Sequence, residues 1–119
     1  MKKLNKIMLA LSILPTLLTS VFLFFMNDTV PMHYNASGAV DRYGSKYENF
    51  ILPAIILFMY AFYMVYTKIY TKYSTNSVEK TNNNVKITAI LVTSIIAAFN
   101  ILQLMFLILA ILKPDSTTF

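Results

Sequence analysis

Cysteine is absent from the chain, which excludes disulfides, thiolate metal sites and a lipoprotein anchor. Charge is also scarce, since 13% of the residues are Asp, Glu, Lys or Arg while 57% are hydrophobic. A chain of 119 residues is expected to form one small domain at most, and this composition is too apolar for a soluble one. The absences therefore point to a protein that lies in a membrane.

Three long runs contain no charged residue and account for most of the apolar character: Ile7–Met26, Phe50–Thr67 and Ile87–Leu112. At a rise of about 1.5 Å per residue, these runs of 20, 18 and 26 residues would form helices of about 30, 27 and 39 Å. The hydrocarbon core of a bilayer is about 30 Å thick, so each run can cross it, the last one with some tilt. The sequence predicts an all-α membrane protein with three transmembrane helices and an ordered external loop between the first two.

The polar stretches between these runs divide the chain into three expected parts. Residues 1–67 form a two-span domain that contains the loop 27–49. Residues 68–86, which are polar and include three consecutive asparagines, form a cytoplasmic linker. Residues 87–119 form the third transmembrane helix and a short tail.

The basic residues are distributed unevenly among the ends of the spans. Seven lysines lie before the first run or between the second and third, whereas three cations lie in the loop 27–49 or in the tail. Cytoplasmic segments of membrane proteins carry an excess of Lys and Arg. We therefore expect a multi-pass protein of the bacterial inner membrane, with a cytoplasmic amino terminus and an external loop and carboxyl terminus. Because the charges sit at membrane ends rather than on one face, no nucleic-acid partner is expected.

The polar residues inside the runs are small hydroxyls or amides. Ser12 and Thr16 lie one turn apart in the first run, and Asn100 and Gln103 share a face of the third. Small residues let helices approach closely, and interhelical hydrogen bonds contribute about 0.6–2 kcal/mol each. These residues are predicted to pack helices within one subunit or between the copies of a homo-oligomer. No run holds an Asp, Glu, Lys, Arg or His, which argues against an ion or proton transporter.

The loop 27–49 is the part of the sequence that bilayer packing does not explain. Its 23 residues hold the only histidine, the only arginine and both glycines of the chain. Loops of this length without structure of their own are uncommon and often functional. Asn35–Gly38 and Asp41–Gly44 each have the composition of a turn whose glycine takes a positive φ, so two successive turns are predicted.

Four residues of the loop are candidates for chemistry: His33, Asn35, Asp41 and Lys46. A divalent metal needs at least three good ligands, which this set does not supply, so neither a metal nor another cofactor is expected. A loop serine beside His33 would make a nucleophile–base pair, but such combinations are far more common than hydrolases, and no enzyme is predicted. The favoured interpretation is a local network in which Asp41 accepts turn amides or pairs with His33 or Lys46. His33 could instead sense external pH, although a structural role is favoured.

The loop also carries a set of residues at fixed spacing: Pro31, His33, Tyr34, Asn35, Gly38, Asp41, Gly44 and Lys46. In this order, between two hydrophobic runs, they resemble the loop signature of an uncharacterised bacterial membrane domain that opens the SdpI-type immunity proteins. The resemblance covers Leu4 to Phe62 and implies that these residues bind a partner or shape the loop. Larger members of that family carry further spans after this unit, where the present sequence has one more apolar run.

Two classes of function fit these features. The resemblance implies immunity to a secreted antibacterial toxic peptide, which the loop and its adjoining helices would recognise at the membrane. Alternatively, the chain is an accessory or regulatory subunit whose loop docks onto a larger membrane enzyme or transporter. The expected partners are thus the lipid bilayer and either a toxic peptide or another membrane protein. A toxin gene beside this one would favour immunity, and stoichiometric co-purification with a larger complex would favour the subunit.

The distribution of cations leads to a test of orientation. In two single-cysteine variants, Ser37→Cys and Asn83→Cys, an impermeant thiol reagent added to intact cells should label only Ser37→Cys, because the loop is expected outside and the linker inside. Labelling is read as a mass shift on a gel, and permeabilised cells, in which both variants react, provide the control. Labelling of Asn83→Cys alone in intact cells would show that the orientation is reversed.

Overall fold

The computed structural model describes residues 2–112, in which three long helices and one two-stranded hairpin follow one another. The elements are α1 Lys2–Phe22, β1 Thr29–Tyr34, β2 Val40–Ser45, α2 Ile51–Tyr73 and α3 Val78–Leu112. Short 3-10 turns at Leu23–Phe25 and Lys46–Phe50 lead out of α1 and into α2. The tail predicted to be external lies outside the described residues.

All three helical segments are long and apolar enough to cross a membrane. These segments are Lys3–Phe25, Lys46–Tyr73 and Val78–Leu112, and they contain the three apolar runs of the sequence almost entirely. The predicted all-α class with three membrane-crossing helices is confirmed. Large apolar side chains such as Phe58 and Leu91 are exposed on the surface of the bundle, where lipid tails would cover them.

The stretch predicted as a linker, residues 68–86, is mostly helical. α2 continues to Tyr73 and α3 begins at Val78, so the connection that is not helical comprises residues 74–77. The Ser77 hydroxyl accepts a hydrogen bond from a backbone amide in the first turn of α3 at 3.2 Å and caps that helix. A tight polar connection therefore joins two helix ends.

The core is small and divided into two clusters. One cluster lies where the three helices meet and consists of Met8, Ile56, Tyr63, Ala89 and Ile96. The other joins the base of the hairpin to α3 and consists of Met26, Val30, Leu107 and Ala110. In lipid, apolar side chains gain little from leaving the tails for a neighbouring helix, so contact between helices depends on close packing and on hydrogen bonds.

Asn100 joins α3 to α1 at the point where Pro15 interrupts the backbone hydrogen bonds of α1. Proline has no N–H, so Pro15 cannot donate to the carbonyl four residues earlier, which is that of Leu11. The Asn100 Nδ2 donates to the Leu11 carbonyl at 2.9 Å and to the Ile96 carbonyl of its own helix at 2.8 Å. Across the helix interface, the amide thus supplies a donor that the proline cannot.

Gln103, three residues further along α3, likewise donates to a carbonyl at the entry to α2 that a proline leaves without a backbone donor. Pro53 lies four residues after Asn49 and has no N–H to donate to the Asn49 carbonyl. The Gln103 Nε2 donates to this carbonyl at 2.8 Å and to the Thr19 hydroxyl of α1 at 2.9 Å. Gln103, Asn49 and Thr19 are all buried. One buried amide therefore connects α1, α3 and the entry to α2.

The two hydroxyl residues predicted to pack α1 occupy different surroundings. Ser12 is buried, and its hydroxyl donates to the Met8 carbonyl of its own helix at 2.7 Å. Thr16 is half-buried, and its hydroxyl oxygen has no hydrogen-bond partner among the described residues. Asn100 and Gln103 each donate a hydrogen bond to another helix, whereas Ser12 and Thr16 contribute small side chains. The packing role of these residues stays a prediction.

Asn100 donates to the Leu11 carbonyl, for which Pro15 has no N–H. We therefore predict that the loss of stability caused by a substitution at Asn100 depends on whether position 15 is proline. Asn100→Leu should lower the free energy of unfolding in detergent micelles by about 1–2 kcal/mol, because the Leu11 carbonyl loses its donor. In a Pro15→Ala background, the new backbone N–H at position 15 can donate to Leu11. The same Asn100→Leu change should then cost about half as much or less.

The free energy of unfolding is measured by circular dichroism during denaturant titration. Four proteins are compared: the unmodified protein, Asn100→Leu, Pro15→Ala and the double variant. Asn100→Leu is compared with Ser94→Ala, which removes an exposed hydroxyl that bonds only within α3. This control should leave the unfolding midpoint unchanged. Equal costs of Asn100→Leu with and without Pro15 would show that the two residues act independently.

Candidate functional site

The loop 27–49 folds as a β-hairpin whose turn is closed by one side chain. The Asn35 carboxamide oxygen accepts hydrogen bonds from the Ser37 amide at 3.0 Å, the Ser37 hydroxyl at 2.7 Å and the Ala39 amide at 3.1 Å. The Asn35 backbone N–H in turn donates to the Ala39 carbonyl at 2.8 Å. Gly38 has a φ of +85°, a conformation that favours glycine. The first of the two predicted turns is therefore confirmed.

The second predicted turn, at Asp41–Gly44, is wrong. These residues lie in β2, where Gly44 pairs with Val30 of β1 and does not have a positive φ. Gly44 provides space instead, because a Cβ at this position would collide with the Glu48 carboxylate and lie 2.8 Å from Met32 Cγ. The loop consists of one turn between two strands rather than two successive turns.

Each strand of the hairpin contains one residue without a partner across the ladder. Met32 is the extra residue of β1, Asp41 is that of β2, and the two irregularities cancel so that the register is restored. Such bulges redirect side chains. Met32 packs against the buried cluster at the base of the hairpin, whereas Asp41 approaches His33 on the exposed side.

His33 and Asp41 form a direct contact on the exposed face of the hairpin. The distance from His33 Nδ1 to Asp41 Oδ1 is 2.6 Å, which is within hydrogen-bonding distance. The His33 side chain is 65% exposed and that of Asp41 is 41% exposed. Of the pairings that the sequence predicts for Asp41, the structure forms the one with His33 and not the one with Lys46.

Lys46 closes the base of the hairpin. Its backbone amide donates to the Asp28 carbonyl at 2.9 Å, and its Nζ lies 3.5 Å from Asp28 Oδ1. The Lys46 Nζ also lies 5.5 Å from the centroid of the Tyr47 ring. With only 19% of its side chain exposed, Lys46 shapes the hairpin more than it offers a charge to a partner.

Arg42, Glu48 and Asn49 belong to the site although the sequence did not single them out. The Arg42 Nη1 and Nη2 each lie 3.2 Å from Glu48 Oε1, which ties β2 to the turn that precedes α2. The buried Asn49 Nδ2 donates to the Lys46 carbonyl at 2.9 Å. All three line a cavity of about 250 Å³ between the hairpin, α2 and α3. In the sequence, these three residues belong to a polar stretch before an apolar run. Such a stretch is common in loops and does not indicate a site.

The opposite face of the hairpin is buried against the helices. Val30 is fully buried in one cluster with Leu107 of α3, and Pro31 beside it is also buried. Tyr34 is half-buried, and burial, assisted by the nearby Tyr43, raises the pKa of the Tyr34 hydroxyl. The hairpin is therefore a fixed element with one embedded face and one exposed face.

The loop serines form local hydrogen bonds, and among the described residues none of these bonds involves the histidine. The Ser37 hydroxyl donates to Asn35, and the Ser45 hydroxyl accepts a hydrogen bond from the Tyr47 amide at 3.3 Å. In the described part of the chain, no three His, Cys, Asp or Glu side chains are grouped so that they could hold a metal ion. The exposed face offers hydrogen-bond donors and acceptors, which suits the binding of a polar partner.

Comparison with known proteins connects this region to a family. Residues 10–57, which contain most of α1, the whole hairpin and the start of α2, match a family described as a domain of unknown function (DUF1648). The chain is also similar to an uncharacterized protein of Archaeoglobus fulgidus, with 42% identity over 67 residues. This alignment covers 56% of the chain and 35% of the archaeal protein, so it spans about a third of that relative's length. No solved structure matches the chain.

The turn geometry predicts that Gly38 is required for an ordered hairpin. Gly38→Val forces a β-branched residue to a φ of +85°, which should cost about 1–3 kcal/mol. No atom lies within 4 Å of the position of an added Cβ, so the strain comes from the backbone and not from a clash. Trypsin should then cleave after Arg42 several-fold faster in the protein purified in detergent.

Gly38→Asn is the matched control, because asparagine tolerates a positive φ better than valine. It should be cleaved at close to the rate of the unmodified protein, and circular dichroism should show the same helix content in all three proteins. Identical cleavage kinetics for Gly38→Val would show that the turn does not depend on this glycine.

Proposed function

We propose that the chain protects a bacterial cell against a secreted antibacterial peptide and that the hairpin is the surface that recognises the peptide. The residues that resemble the loop signature of SdpI-type immunity proteins lie between Pro31 and Lys46, on this hairpin and on the first residue of the 3-10 turn that follows it. The region matched by the family of unknown function contains the same hairpin. The resemblance and the family match therefore both include the hairpin of this small helical membrane protein, which supports the proposal.

The observation that carries this proposal is the preformed His33–Asp41 pair, which is exposed on a hairpin whose other face is buried. Association is weakened when flexible groups must be ordered on binding, so polar groups already held in place favour recognition. The bulge at Asp41 and the turn closed by Asn35 restrain this pair from both sides. A binding surface on a rigid support fits a protein whose partner arrives at the membrane.

The proposed orientation places the hairpin outside the cell. Of the ten cations in the sequence, the seven that flank the opposite ends of the helices would be cytoplasmic, in agreement with the charge bias of membrane proteins. A peptide that approaches from outside then meets the hairpin before it reaches the membrane spans. The inner membrane of a bacterium is the proposed location.

The proposed activity is binding without catalysis. Ser37 and Ser45 direct their hydroxyls to the turn and to the start of the 3-10 turn, so neither is paired with His33 as a nucleophile would be. Asp41 contacts Nδ1 of the histidine directly. The pair is therefore proposed as a recognition element in which both members face the partner.

A second candidate function is that of an accessory subunit of a larger membrane enzyme or transporter. Four rings stack along α2, with successive centroid distances of 6.5, 6.4 and 6.0 Å: Phe58, Phe62, Tyr66 and Tyr70. A groove of about 440 Å³ lies beside them between α2 and α3. Aromatic pairs add energy to an interface beyond the area that they bury. This face would therefore suit a helix of another membrane protein.

A protection assay tests the immunity proposal. The chain is expressed in a sensitive strain that is exposed to each small secreted peptide encoded beside this gene, and the inhibitory concentration is measured. His33→Ala and Asp41→Asn should each lower that concentration by about fivefold or more, because the first removes the imidazole and the second removes the carboxylate charge of the exposed pair. The amount of protein in the membrane fraction should be unchanged.

Asn100→Leu is the control for an effect that acts through folding. It should reduce the amount of protein in the membrane while protection per molecule stays the same. Full protection by the His33→Ala, Asp41→Asn double variant at normal membrane levels would move recognition away from the hairpin. Co-purification of a larger membrane protein in equal amount would then favour the accessory-subunit function.

A further inference from the structure

We propose that the end of the molecule opposite the hairpin binds the phosphate group of an anionic phospholipid. A groove of about 530 Å³ lies there between the amino-terminal part of α1, the carboxyl-terminal part of α2 and the start of α3. Its polar lining consists of Asn5, Tyr63, Thr67, Lys68, Thr71 and Lys72. This site is independent of the function proposed for the hairpin.

Two lysines give the groove its charge. Lys68 and Lys72 lie four residues apart on α2, so their side chains leave the same face of the helix, and both are exposed. The Lys72 Nζ lies 5.3 Å from the centroid of the Tyr73 ring, which places this ammonium beside the aromatic end of the span. The lining of the groove contains no Asp or Glu. An anion that enters would meet two positive charges and no repulsion from an acid.

The surroundings of the groove strengthen its positive potential. Besides Lys2, the helices at this end carry six lysines and a single acidic residue, Glu79; the six are Lys3, Lys6, Lys68, Lys72, Lys80 and Lys86. Within residues 2–112, none of these lysines forms an ion pair with a carboxylate. Their charge is therefore available to an external anion.

The apolar part of the groove indicates that this anion belongs to a lipid. The Tyr63 hydroxyl donates to Asn5 Oδ1 at 3.2 Å, which joins α1 to α2 in the wall of the groove. Met64 and Val85 continue the lining toward the apolar surface of the helices. A phosphate held by the lysines would let its acyl chains follow this surface into the bilayer. Basic pockets between membrane helices recognise anionic headgroups in this way.

The depth of the groove favours a lipid over a soluble phosphate compound. Lys68 and Lys72 lie in the last turns of a helix that crosses the membrane, which is the level at which phospholipid headgroups are found. The Thr71 hydroxyl lies one residue before Lys72 on the same groove and can donate to a phosphate oxygen. The Thr67 hydroxyl, one residue before Lys68, donates to the Met64 carbonyl at 3.2 Å. The arrangement fits a phosphodiester anchored by two chains.

Native mass spectrometry of the full chain in a neutral detergent tests this proposal. The protein is titrated with phosphatidylglycerol and, separately, with zwitterionic phosphatidylcholine of the same acyl chains. Phosphatidylglycerol should bind at one site, and the Lys68→Gln, Lys72→Gln double variant should bind it about thirtyfold more weakly, since one lysine near a headgroup contributes roughly fivefold. Circular dichroism checks that the variant keeps its helix content.

The matched control is the Lys80→Gln, Lys86→Gln double variant, which removes the same charge from the same end but outside the groove. It should weaken binding by less than about threefold. An equal loss in both double variants, or equal binding of phosphatidylcholine, would overturn the proposal in favour of general attraction to the lysine-rich end. Displacement of phosphatidylglycerol by inorganic phosphate at a similar concentration would overturn the assignment to a lipid.

Discussion

The packing of this protein depends on two backbone carbonyls in an apolar interior, each of which lies four residues before a proline and must find another hydrogen-bond donor. A polar backbone group without a partner is costly in hydrocarbon, where no water can replace the missing donor. α3 supplies Asn100 for the carbonyl that Pro15 cannot serve and Gln103 for the one that Pro53 cannot serve. Because the two amides are three residues apart on one face, they fix the positions of α1 and α2 along α3 at the same time. Apolar packing alone would leave those positions undetermined.

The same set of hydrogen bonds reaches the exposed site. Gln103 donates to the backbone of Asn49, the Asn49 side chain donates to the backbone of Lys46, and the Lys46 amide donates to Asp28 at the start of the hairpin. Each of these bonds restrains the next residue, so the base of the hairpin is held by the buried part of α3. Val30 adds apolar contact at the same place. The orientation of the polar face is thus a consequence of how the helices pack.

The three helices could be predicted because a long run without charge is visible in the sequence itself. The hairpin could not, because its two bulges interrupt the alternation that indicates strands and Pro31 is unusual within one. Asn100 and Gln103 could be recognised as groups that need partners, but their acceptors lie 89 and 54 residues away and only the fold brings them together. For Asp41, the sequence left two basic partners open, and the bulge decides between them.

The two ends of the molecule differ in how their charges are compensated. At the hairpin, each basic side chain of the described chain lies beside a carboxylate, in the pairs His33–Asp41, Arg42–Glu48 and Lys46–Asp28. A partner that binds at this end must either fit the positions of these paired side chains or replace one member of a pair. The choice of partner there therefore depends on geometry. At the other end, Lys68 and Lys72 have no carboxylate partner within residues 2–112. An anion gains attraction there without displacing anything, and selection depends first on charge.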